Sequence, residues 1–333
     1  MKLLFFYGLI ATVLLRTVSH LSAAEQAFQA QGVLEQYNNS KLTQTYQFTM
    51  LAKGCRWLIH AAPNKDKVEF YVDSYDGENV YHYLKFPGTP AKNVANSSGA
   101  SVEINDVPNN VADYATPIWL AYGSGCYFDK VKNNMVKPFF DWFEPTASEL
   151  NKLIVVELKR SEKPPFVPVF IYAKDFNRRY RVLNFTNFNG LMLPKEFVVE
   201  CFTPYTEIAT NPPVFSFHGV LKSIAPINED VSAEDFRPKL DGRTYTIDQR
   251  FPQLTNMELA LAYLNKSNQW LPTNNSQLVA FYHRRLSLLP TESSASQPSR
   301  LLVLSLLVFP TIALVIFLIF NWKRSKNSNE TES

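Results

Sequence analysis

Apolar and polar positions alternate along most of this chain. Tyr46, Phe48 and Met50 share one parity, and Trp57, Ile59 and Ala61 share the next. Val68, Phe70 and Val72 alternate with Lys67, Glu69 and Asp73; after Asp76-Gly77, Val80, His82, Leu84 and Phe86 resume the pattern. A period of two predicts strands, and Asp-Gly between two such runs predicts a hairpin. Similar runs return at 153–159, 167–173, 180–188, 193–202 and 214–227, with turns at 175–177 and at Asn189-Gly190. Helical spacing is expected at 24–37, from Ala27, Phe28, Val33, Leu34 and Tyr37, and again at 256–264 and 276–286. A short apolar helix is expected over 115–127, begun by Thr116-Pro117 and ended at Gly123 and Gly125. Successive strands joined by short turns indicate a large antiparallel sheet.

The two ends add a topology. Lys2, an apolar run from Leu3 to Leu15 and the small residues Ser22-Ala23-Ala24 read as a secretory signal over 1–24. No residue between Leu301 and Phe320 is charged, and Trp322, Lys323 and Arg324 follow. About 20 apolar residues suffice to cross a bilayer, so 301–322 is expected to be a transmembrane helix, with 323–333 as a cytoplasmic tail by the basic-residue rule. The Ser-rich stretch 290–300 reads as a linker. The organisation expected is an exported β-rich domain over 25–289, on the periplasmic or extracellular side, anchored in the cytoplasmic membrane.

Composition narrows the function class. The 25 Phe and 16 Tyr against 11 Gly suit strands with large side chains. A net charge of +3 does not point to nucleic acid. Of the three cysteines at most one pair forms within the chain. The two readings are a Cys55–Cys126 bridge, which an oxidising compartment permits, and three buried thiols. Asn38, Asn96, Asn184, Asn265 and Asn274 stand in glycosylation sequons, which matter only where exports are glycosylated.

Candidate chemistry is sparse. Ser124 lies in Tyr-Gly-Ser-Gly-Cys, which is not the Gly-x-Ser-x-Gly elbow of a nucleophile, and Cys126 has no basic neighbour in sequence to activate it. His82 shares the parity of Val80 and Leu84, whereas His60 opposes Trp57 and Ile59 and is expected to meet solvent. Asp73 and Asp76 flank a turn, where Asp serves the backbone. Lys174, Arg178, Arg179 and Arg181 form a basic loop that reads either as a site for anionic head groups or as a solvated turn. No His or Cys spacing suits a metal, and neither a catalytic group nor a cofactor is expected.

The segment containing the Tyr-Gln-Phe-Thr-Met strand and the hairpin from Val68 to Tyr83, preceded by the expected N-terminal helix, resembles the LolA-like family of outer-membrane lipoprotein carriers. The resemblance covers roughly residues 26–90. It implies a half-barrel with a helical lid over an apolar cavity, and a lipid or lipoprotein ligand. The expected anchor departs from soluble carriers, which must shuttle.

The fold class expected is therefore mainly β (α+β), a large curved antiparallel sheet forming a half-barrel with short covering helices, plus one C-terminal transmembrane helix. The function expected is a membrane-anchored, non-enzymatic domain of the cell envelope holding a lipid or acylated ligand. Phe48, Trp57, Phe70, His82, Phe86 and Trp119 are the candidate cavity lining. The alternative is a structural or protein-interaction module with a filled core and an envelope protein as partner.

Overall fold

The computed structural model describes residues 26–65, 67–88, 93–99, 114–136, 154–174, 177–203, 211–227, 230–251 and 261–287. It divides into two units, Met1–Tyr282 and His283–Ser333, and the sheet described below belongs to the first. Thirteen strands form one sheet. Its first half is a run of hairpins: β1 (Phe28–Asn38), β2 (Lys41–Lys53), β3 (Arg56–Pro63), β4 (Phe70–Tyr75), β5 (Asn79–Lys85) and β6 (Val94–Gly99). After α1 (Ala115–Tyr122) and α2 (Gly125–Lys130), the two short strands β7 (Met135–Val136) and β8 (Ile154–Val155) pair with each other alone. The second half comprises β9 (Glu157–Arg160), β10 (Pro168–Ala173), β11 (Arg178–Phe188), β12 (Leu191–Cys201) and β13 (Phe215–Pro226). The antiparallel β1–β13 pairing joins the halves. The segment after β13 supplies β14 (Thr244–Gln249) and β15 (Leu261–Asn265), then α3 (Ser276–Ser287). The strand order runs from β15 and β14 through β6 down to β1, then from β13 down to β9.

Turn chemistry explains the tight connections. Asn39 and Ser40, and likewise Asn189 and Gly190, take positive φ at both central positions, the geometry of a two-residue hairpin turn. At Asp76-Gly77 the glycine has φ 101°, and the Asp76 Oδ1 accepts the backbone N–H groups of Glu78 and Asn79.

Four expectations are corrected. Residues 28–38 form strand β1 instead of a helix. Phe28, Ala30, Gly32 and Leu34 all face inward, and pairing with β2 and β13 on both sides overrides a weak helical spacing. Residues 261–265, inside the helix expected over 256–264, form edge strand β15, and 256–260 lie outside the described residues. The sheet is not wholly antiparallel, because β14 lies parallel to β6. The expected fold class also fails in its membrane helix. No helix among the described residues is long and apolar enough to cross a bilayer. The 12-residue α3 spans about 18 Å and carries Arg284 and Arg285 in its last turn. The stretch 301–322, like the signal at 1–24, lies outside the described residues.

The core sits between one face of the sheet and α1. All eight residues of α1 are buried, and the helix packs on β2, β3, β12 and β13. Beneath it lie Phe48, Met50, Trp57, Ile59, Phe197 and Val199. On the opposite face, Val72, Tyr81, Tyr83 and Ala95 pack with Leu240 and Trp270, and Val231 and Phe236 pack with Ala27, Leu51 and Leu58. Two ion pairs, one half-buried and one buried, tie down the covering segment. Arg237 Nε donates to Asp76 Oδ2 at 2.7 Å, and Arg250 Nη2 donates to Asp248 Oδ2 at 2.6 Å and to Leu271 O at 2.7 Å.

Close approach requires glycine at two points under aromatic rings. A Cβ on Gly219 would lie 2.1 Å from the Phe197 ring, its cross-strand partner, and one on Gly32 would lie 2.5 Å from Phe48. Gly219→Ala is therefore expected to destabilise the fold by about 1–3 kcal/mol through overpacking, read as a lower urea midpoint at unchanged slope. Cys55 and Cys126 form a disulfide with their Cα atoms 5.4 Å apart, across a sequence separation of 71. Its removal in a Cys55→Ser/Cys126→Ser double variant should cost about 2–4 kcal/mol, measured by the same denaturation.

Candidate functional site

The site grows from the register of the first five hairpin strands. Cross-strand pairing places Ile59 opposite Asp73, and Asp73 opposite His82. All three belong to the face that α1 covers, with Trp57, Tyr75 and Val80 in the next row. Asp73 is completely enclosed. One carboxylate oxygen lies 2.6 Å from His82 Nδ1, and the other accepts the Tyr114 hydroxyl at 2.6 Å. Tyr114 immediately precedes α1 and is clasped between Tyr46 and Tyr71, with ring centroids 5.1 and 4.8 Å away. This three-residue cluster is the polar joint between the sheet and the start of α1.

The other end of the helix is held differently. The Tyr122 hydroxyl donates to Pro194 O at 3.0 Å, and the Tyr122 ring meets Phe197 edge-on. Ser124 donates its hydroxyl to Leu120 O at 2.8 Å, capping the last turn, and Cys126 follows with its bridge to Cys55. The helix is thus stapled covalently beyond its C-terminus and hydrogen-bonded at its N-terminus.

Electrostatics follow from enclosure. Burial pulls the His82 pKa down, but the adjacent Asp73 charge and its hydrogen bond outweigh that, and the value lies above the ordinary one. Burial, followed by Asp73, pushes the Tyr114 phenol well above its usual range. His60 moves the other way, because burial disfavours its charged form. It is half-buried against Phe70, with centroids 4.5 Å apart, and so does not meet solvent freely.

The six candidate lining residues divide. Phe48, Trp57 and Trp119 lie in the core under and on α1, and His82 lies on the same face in its contact with Asp73. Phe70 does not join them. It projects from the opposite face, edge-on to Tyr83 and beneath Lys85. Phe86 is half-buried just past β5, where its backbone N–H meets Asn93 Oδ1. The face under α1 is packed, with Trp57 and Trp119 wholly buried. A cleft of about 190 Å³ lies on the opposite face beside Trp270, lined by Glu234, Asp235, Arg237, Lys239 and Asn268 among others. That is below the usual size of a small-molecule pocket.

The basic loop is engaged in structure. Arg179 and Arg181 both pair with Glu200, and Arg178 donates to Phe202 O. Among the described residues no cluster suits a metal ion.

The sequence reads Asp73 only as a turn residue and gives Tyr114 no role. Asp76 does serve the turn, but Asp73 has the parity of Tyr71 and Tyr75 and therefore points inward. That parity, matched to His82 across the hairpin, was the available signal.

No family model matches the chain, and neither does any curated protein. Three solved structures align with it at low identity. A DUF1329 family protein from Desulfovibrio piger shares 10% identity over 64% of this chain and 90% of that one, with a TM-score of 0.33. A LolA superfamily protein from Nitrosomonas europaea shares 12% over 65% and 94%, with a TM-score of 0.34. A domain from Vibrio parahaemolyticus, titled for outer-membrane lipoprotein sorting, shares 9% over 67% and 95%, again at 0.34. One of the three is titled a LolA superfamily protein. The LolA and lipoprotein-sorting titles agree with the resemblance of residues 26–90, and at these TM-scores the functional reading rests on the residues of this chain.

Tyr114→Phe removes one hydrogen bond to a buried charge while keeping the ring stack. It should cost about 1.5–3 kcal/mol, seen as a lower denaturation midpoint.

Proposed function

We propose that this chain is an exported, non-catalytic binding domain of the cell envelope, which takes an acyl chain of a lipid or lipoprotein between its sheet and α1. The observation that carries the reading is α1 itself. A wholly buried apolar helix occupies the trough of the sheet, held at its start by a small polar cluster and beyond its end by a disulfide. Displacing it uncovers a trough lined by Phe48, Met50 and Trp57. The buried Trp57 Nε1 and Thr116 Oγ1 have no hydrogen-bond partner within the protein. Burying a methylene contributes about 0.8 kcal/mol, so a long acyl chain offsets the loss of helix packing. A disulfide and the signal-like residues 1–24 support export to an oxidising compartment such as the periplasm.

The dense packing under α1 favours the second reading, a filled-core interaction module with an envelope protein as partner. Native mass spectrometry of the full chain, produced in an exporting host and released from mild detergent, separates the two. The expected result is a discrete added lipid mass that organic extraction removes. A bare protein mass, together with no uptake of a fluorescent fatty-acyl probe, would overturn the binding reading in favour of the interaction module.

A further inference from the structure

We propose that the start of α1 is a pH-sensitive latch, in which protonated His82 and the Tyr114 hydroxyl together hold the buried Asp73 carboxylate, so that the helix loosens when His82 loses its proton. The geometry supplies each part. Asp73 is fully enclosed, and among the described residues its side chain meets the Tyr114 hydroxyl and the His82 ring. Its neighbour on β3 is the apolar Ile59. Among the described residues, the titratable groups facing the cluster are Asp73 and Tyr71 from β4, His82 from β5, Tyr46 from β2 and Tyr114 from the helix start. Among the described residues, His82 is the ion-pair partner of Asp73. An enclosed carboxylate without a countercharge is costly, and the direct remedy is to admit water. Tyr114 immediately precedes α1, whose disulfide restraint lies beyond its far end, at Cys126.

The direction follows from linkage. The His82 side chain is 14% exposed and its pKa in the folded protein is raised. Its contribution is fully present below the ordinary histidine value of about 6.5 and is lost as pH rises through the raised folded value. The latch is thus tight in mild acid and loose in base. Its use for admitting a ligand rests on the binding reading above, whereas the latch itself does not.

Hydrogen exchange of the full chain across pH 6–9, corrected for intrinsic exchange rates, tests this without any ligand. Protection of a peptide spanning 115–122 should fall about tenfold or more as His82 titrates, while a peptide from β11–β12 stays level. In His82→Gln the 115–122 profile should be flat. A level wild-type profile, or the same fall in the variant, would overturn the latch. Should His82→Gln fail to fold, ¹³C-labelled histidine and alanine in the wild type give the second measurement. The Ala115 methyl resonance is expected to titrate with the His82 ring, and a methyl that does not move over the His82 titration rejects the proposal. A lipid-free preparation with a working latch, or the reverse, tells its failure apart from that of the binding reading.

Discussion

Covering the apolar trough of the sheet is the constraint on which the rest of this structure depends. A sheet with Phe48, Met50, Trp57, Ile59 and Phe197 on one face cannot leave that face in water. Helix α1 answers with eight buried residues drawn from an apolar stretch too short to be stable alone. The dependence is mutual: the helix forms because the trough is there, and the trough stays dry because the helix is there. The glycines under Phe48 and Phe197 belong to the same solution, since their missing side chains let large rings lie flat against neighbouring strands.

Burying one whole face forces polar groups inside, and the chain handles them in two ways. On the side away from α1, Asp76 and Asp248 meet arginines, and Arg250 also lies over the Trp270 ring. These carboxylates have permanent countercharges, because arginine does not deprotonate in proteins. On the α1 side, Asp73 meets a histidine and a tyrosine. The partner there titrates. A structure that needed only rigidity would gain more from the first arrangement, so the contrast between the two faces directs attention to α1 as the element with a variable hold.

Strand grammar was the most legible layer. The runs around Tyr46, Trp57, Val80 and Phe197 form strands β2, β3, β5 and β12, because alternation and turn residues act over short distances. The misread segments share a cause. Residues 28–38 carry helix-compatible spacing, and only their two neighbours, β2 and β13, one of them nearly two hundred residues away in sequence, make them a strand. Strand parity alone reads Phe70, like Trp57, as inward. The region β3–β6 is covered on both faces, so apolar character there does not tell inside from outside.

By itself, the sequence determined the β-rich class, the hairpin turns at Asp76-Gly77 and Asn189-Gly190, and the inward parity of Trp57 and His82, since each follows from a period of two and local turn chemistry. Only the tertiary structure decided that Cys55 and Cys126 bond, that the trough is filled by α1, and that Asp73 meets His82 and Tyr114. Those contacts join residues 9 to 71 positions apart. They exist only once sheet register and helix placement are both set, and no local pattern encodes that coincidence.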